Sequence, residues 1–138
     1  MNIYFSCSIT GWRNDQSAYR IIVDYLLAHG HDVPTAHLAS QNLSDLETGI
    51  SPEEIYSRDI GWVRVCDILI AEVSTPSHGV GYEIAEAVNH KKPVLCVYEE
   101  GKRVSKIITG NQETNVEVYA YKNIDDLLEK IASFLELY

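Results

Sequence analysis

The chain is 138 residues long and 46% hydrophobic, enough for one domain around a single core and too short for a second. Its 11 basic residues stand against 20 acidic ones, a net charge of −9, which argues against a nucleic acid polymer as partner because counterion release needs clustered Lys and Arg. Met1 leads straight into a strand-like segment, with neither a secretory leader nor an apolar run long enough to span a bilayer, so a cytoplasmic protein without membrane contact is expected.

In chain order, Asn2 to Ser6 reads as a strand, and an amphipathic helix follows from about Asp15 to His29. Tyr19, Ile22, Val23, Leu26 and Leu27 share a face of that helix, and Gly30 stops it. His31 to Thr35 is expected to be a second strand, interrupted by Pro34, and 36–50 is polar and irregular. Ser51 opens the next helix as its N-cap, with Pro52 at N1 and Glu54 at N3 in the capping-box arrangement, and this helix runs to about Val65.

Cys66 to Val73 is the third expected strand. A helix from about Gly81 to His90, a strand from Pro93 to Tyr98, a short helix around Val104 to Thr109 and a strand from Val116 to Tyr121 continue the alternation. The last helix places Ile124, Leu127, Leu128, Ile131, Phe134 and Leu135 on one face. Alternating strands and helices with nearly continuous apolar strands predict an α/β protein, a flavodoxin-like or Rossmann-like three-layer sandwich with a five-stranded parallel sheet in order 2-1-3-4-5.

In that order two loops converge at the switch point, Ser6 to Gly11 after the first strand and Ser74 to Gly81 after the third. Both are rich in hydroxyls and backbone N–H donors, which suit a phosphate or another small anion. His37, His78 and Trp12 lie in loops from which they could stack on a base. Cys7, Cys66 and Cys96 form no C-x-x-C pair, and the five histidines form no H-E-x-x-H arrangement. A metal is therefore not expected.

Glu83 falls in the first turn of the expected Gly81 helix, where the helix dipole keeps a carboxylate ionised and fit to act as a nucleophile. Asp59 falls on the inward stripe of the Ser51 helix, four residues from Ile55 and four from Val63, near Trp62. A buried acid either has a basic partner, with Arg13, Arg58 and Arg64 as candidates, or faces a cavity. Desolvation near Trp62 would raise the Asp59 pKa, and two carboxyls with separated pKa values are what displacement at an anomeric carbon requires. A pair of carboxyls acting at a glycosidic bond would need no cofactor. Tyr4, in the first strand, is within reach of the crevice to orient Glu83.

Tyr4-Phe5, Ser8-Ile9, Gly11, Asp59 with Trp62, Ala71-Glu72-Val73, Pro76-Ser77, Gly79-Val80-Gly81-Tyr82-Glu83, and Ser105 with Ile108 and Gly110 make a set. It resembles the 2'-deoxynucleoside 5'-phosphate N-hydrolase family, a branch of the nucleoside 2-deoxyribosyltransferase superfamily, over almost the whole chain. The resemblance implies hydrolysis of a deoxynucleoside 5'-monophosphate to free base and 2-deoxyribose 5-phosphate. Glu83 then matches the nucleophile that forms a glycosyl-enzyme ester, Asp59 the acid/base group and Tyr4 the hydroxyl that positions the nucleophile. The substrate-binding set it implies is Cys7, Ser8, Ile9, Thr10, Gly11, Tyr19, His37, Ser77, Gly79, Gly81 and Ser105. Ser105 matches a serine supplied by the neighbouring subunit, so a homodimer is implied.

The chain departs from the family pattern Gly-Ser-Ile-Arg-Gly-Gly, having Cys7-Ser8-Ile9-Thr10-Gly11-Trp12 in its place, which removes a cation near the phosphate end. Three alternatives stay open: transfer of the deoxyribosyl group to another base, cleavage of ribonucleotides such as cytidylate, and a non-catalytic flavodoxin-like binding module.

Overall fold

The computed structural model describes residues 1–9, 16–39 and 48–138. Four strands, β1 (Ile3–Ser6), β2 (Ile68–Glu72), β3 (Val94–Glu99) and β4 (Val116–Tyr121), form one parallel sheet in the order β1-β2-β3-β4. The helices are α1 (Gln16–Ala28), α2 (Pro52–Val65), α3 (His78–Asn89), α4 (Lys106–Thr109) and α5 (Ile124–Leu135), with a 3-10 turn at Ala36–Ala39.

The pleat sorts the core into two halves. Ile3, Phe5, Ile68, Ile70, Leu95 and Val97 point toward α1 and α5, where Ile22, Leu26, Leu127 and Ile131 meet them. Tyr4, Leu69, Ala71, Val94 and Cys96 point the other way, toward Val63 of α2 and Val80, Ile84 and Ala87 of α3. The result is three layers, with both faces of the sheet covered, as parallel strands require.

The expected five-stranded sheet in order 2-1-3-4-5 is corrected to four strands among the described residues. The segment expected to be the second strand does run beside β1, but it pairs there only at the bridge between Asn2 and Asp32. Pro34 has no N–H to continue a ladder, and the next β1 donor, Phe5 N–H, is taken instead by the Thr35 hydroxyl at 3.0 Å. A side chain thus ends the pairing that a strand would have extended.

α1 covers one face of the sheet and α2 the other, and between them in the chain Asp32 pairs beside the outer edge of β1. The crevice at the carboxyl ends of β1 and β2 lies at this change of face.

Candidate active site

Glu83 occupies the second turn of α3, because the helix begins at His78 and not at Gly81. Ser77 is its N-cap, accepting a hydrogen bond from Val80 N–H at 3.4 Å. Gly79 and Glu83 are four residues apart and share a helical face, as Ile55 and Asp59 do on α2. These two faces meet around a cavity of about 420 Å³ lined by Ile55, Asp59, Gly79 and Glu83, with Tyr56 and Tyr82 at its edge.

The Glu83 carboxylate is gripped from β1. The Tyr4 hydroxyl donates to Oε1 at 2.9 Å, and the Ser6 hydroxyl donates to Oε2. Tyr4 and Ser6 are two residues apart on a strand, so both side chains leave the sheet on the α2/α3 face. Ser6 lies opposite Ala71 in the register, whose methyl is the smallest side chain of that face of β2.

Burial pushes the Glu83 carboxyl above its ordinary value; the hydroxyls of Ser6 and Tyr4 pull it back, and the neighbouring negative charge of Asp59 pushes it up again. The expectation that the helix dipole holds this acid low is therefore corrected: Glu83 is past the first turn and largely buried, so desolvation outweighs the dipole. Burial and the Glu83 charge push the Tyr4 phenol far up, so Tyr4 is a neutral donor at any working pH.

Asp59, 8% exposed, meets both alternatives left open by the sequence. It lines the cavity with Glu83, and Arg58 supplies its basic partner, Nε to Oδ1 at 2.7 Å. The Arg58 guanidinium in turn lies 5.1 Å over the Trp62 ring. His37 meets the same tryptophan edge-on, with ring centroids 6.1 Å apart, and its buried Nε2 has no hydrogen-bond partner among the described residues.

The remaining expected residues fall into separate groups. Ser8, just past β1, is 2% exposed, and its hydroxyl has no hydrogen-bond partner among the described residues. The Cys7 and Tyr19 side chains pack in the α1/α5 half of the core, with Ile9 against it, on the far side of the sheet from Glu83. Ser77, Gly81 and Ser105 line a second cavity of about 710 Å³, between α3 and the segment 103–108. In the single chain Ser105 caps α4 and does not line the cavity that holds Glu83 and Asp59. Thr10, Gly11, Trp12 and Arg13 lie outside the described residues.

Ser6 is the site residue that sequence reasoning missed. Its signal was its place two residues after Tyr4 in a strand, which puts both hydroxyls on one face. Among the described residues no group of three or more His, Cys, Asp or Glu side chains gathers as metal ligands, and no helix is long and apolar enough to cross a membrane.

Residues 3–127 match the family model described as nucleoside 2-deoxyribosyltransferase. A protein of Methanosarcina mazei provisionally named 2'-deoxynucleoside 5'-phosphate N-hydrolase 1 is 41% identical, covering 97% of this chain and 83% of its own length. The 5-hydroxymethyl-dUMP N-hydrolase of Danio rerio is 38% identical, covering 94% of each chain. Among solved structures, the CMP N-glycosidase of Clostridium botulinum superposes with a TM-score of 0.73 at 21% identity, covering 97% of this chain and 99% of that one. At that identity the likeness is one of fold.

Proposed function

We propose that this chain, which belongs to the nucleoside 2-deoxyribosyltransferase family, is a nucleotide N-glycosyl hydrolase that splits 2'-deoxynucleoside 5'-monophosphates into free base and 2-deoxyribose 5-phosphate. The observation that carries this reading is the cavity lined by both Glu83 and Asp59, one acid from α3 and one from α2. Two carboxyls around one small cavity match the pair used in glycosidic displacement. The names of the relatives, N-hydrolases acting on deoxynucleotides, point to the same chemistry.

The reaction runs in two steps. The ionised Glu83 attacks C1', the C1'–N bond breaks with its electron pair leaving on the base, and Asp59 delivers the proton that the base takes away. Water then opens the glycosyl ester, giving its proton to Asp59, and Glu83 is regenerated. A sugar without the 2'-hydroxyl reaches an oxocarbenium-like transition state more easily, so a carboxylate beneath the ring and a proton donor at the base suffice.

The Ser8 hydroxyl, buried and without a partner among the described residues, and the N–H groups at the start of α3 are donors of the kind a 5'-phosphate satisfies. Fixing the phosphate would hold C1' against Glu83. His37, edge-on to Trp62, is our candidate to meet the base, a role its contact with that tryptophan supports. We assign the activity to the cytoplasm, where Cys7, Cys66 and Cys96, none of them in a disulfide, stay reduced.

The active form is proposed to be a homodimer that brings Ser105 to the partner's substrate phosphate. Two features support this: Ser105 opens onto a cavity with Ser77 rather than with Glu83, and Ile107 beside it is 83% exposed.

The common deoxy- and ribonucleoside monophosphates, and the corresponding nucleosides, should be incubated with the protein and the freed base measured. Base release is expected from deoxynucleoside monophosphates and from few or none of the nucleosides, and Glu83→Ala should abolish it. Release that survives in Glu83→Ala would overturn the nucleophile assignment, and no release from any nucleotide would overturn the function.

A further inference from the structure

We propose that Ser6 is a second positioning residue of this site, clamping the Glu83 oxygen that Tyr4 leaves free so that the carboxylate is fixed in one plane and kept available for attack; this rests on the hydrolase reading above. Tyr4 alone would hold Glu83 by Oε1 and leave the carboxyl free to turn about that contact. Ser6, donating to Oε2 from the carboxyl end of β1, removes that rotation. Each oxygen has two lone pairs, so an oxygen that accepts one hydrogen bond still has a pair for C1'.

The clamp also has an electrostatic task. Glu83 is largely buried, and its surroundings among the described residues are mostly unfavourable to charge. Among the described residues, the charged and titratable groups facing it are Tyr4 from β1, Asp59 with its partner Arg58 from α2, and Tyr56 and Tyr82 of the cavity lining. Asp59, when ionised, works against a second negative charge, and Arg58, the arginine that pairs at the site among the described residues, is engaged by Asp59 rather than by Glu83. Among the described residues, hydroxyl donors are what remains to stabilise the ionised form, and β1 supplies two of them.

Ser6 is fully buried and its change to Ala removes a single oxygen, so the fold should hold. In the Ser6→Ala protein the acidic limb of the kcat/KM profile should move up by about one pH unit, as expected for losing one hydrogen bond to a charged acceptor. Ser6→Thr, which keeps the hydroxyl, should leave the limb within a few tenths of a unit of the unsubstituted protein. A purely structural serine would lower activity equally at every pH.

The titration of Glu83 should also be followed directly by the carboxyl carbon signal of protein labelled with 13C-glutamate, the signal being assigned by its loss in Glu83→Gln. An upward shift of that titration in Ser6→Ala supports the clamp even if no nucleotide is ever hydrolysed, which keeps the failure of the function distinct from the failure of this inference. A limb and a carbon titration both unmoved by Ser6→Ala would overturn it.

Discussion

Glu83 shows a conflict between stability and reactivity within one side chain. Its carboxyl titrates above the ordinary value of 4.5 in the folded chain, chiefly because it is buried. The folded state therefore holds this proton longer than the unfolded state does, and stability falls as pH rises from the unfolded value through the folded one. Glu83→Gln keeps the shape and removes the charge. The variant should melt at a higher temperature than the unsubstituted protein at pH 8, with the difference shrinking to nothing near pH 4. Thermal unfolding at the two pH values checks this, and an equal difference at both would show that ionisation of Glu83 does not weaken the fold. At the same scale, Asp59 was legible in the sequence as an acid on an inward helical stripe, Glu83 as a carboxylate opening a helix after a hydroxyl-rich loop, and Tyr4 chiefly through the family-like set, since a tyrosine in a strand is ordinary core. Ser6 was not, since a serine at the end of a strand reads as an ordinary turn residue until its face is matched with that of Tyr4.

The elements that present these residues were legible where their signals are local. The Ser51–Glu54 capping box forms as the sequence predicts, Ser51 Oγ accepting from Glu54 N–H at 3.2 Å and Glu54 Oε2 from Ser51 N–H at 2.9 Å. β4 runs from Val116 to Tyr121 as read. The second strand was misread because its fate depends on a distant choice: whether β1's N–H groups are met by backbone or, as at Phe5, by the hydroxyl of Thr35. The start of α3 was read three residues late because Gly79 and Gly81 look like loop, although Ser77 already caps the helix. Capping matters to the site because α2 is the element that carries Asp59. Ser51→Ala leaves the Glu54 N–H without its side-chain acceptor, which should lower the melting temperature by about 3 to 5 °C. Ser51→Asp, which keeps an N-cap acceptor, should lose little. Equal losses in the two variants would mean that the box does not stabilise this helix.

At the scale of the whole molecule, the two cavities divide the expected site residues. Glu83, Asp59 and Gly79 line one, while Ser77, Gly81 and Ser105 line the other, so a single chain does not bring Ser105 to the acids. If a neighbouring copy supplies that serine, one site is built from two chains and its defects must complement. Ser105→Asp keeps an N-cap acceptor for α4 and places a negative charge where the substrate phosphate would approach, so it should abolish base release without unfolding the chain. Glu83→Ala should be inactive for a different reason, the loss of the proposed nucleophile. Co-expressed, the two chains would then form mixed dimers in which one site has Glu83 from one copy and Ser105 from the other, both unsubstituted. With random pairing about a quarter of all sites are then intact, so base release should return to roughly that fraction of the unsubstituted level. A site complete within one chain would give no recovery from the mixture, because every chain in it carries one lesion or the other.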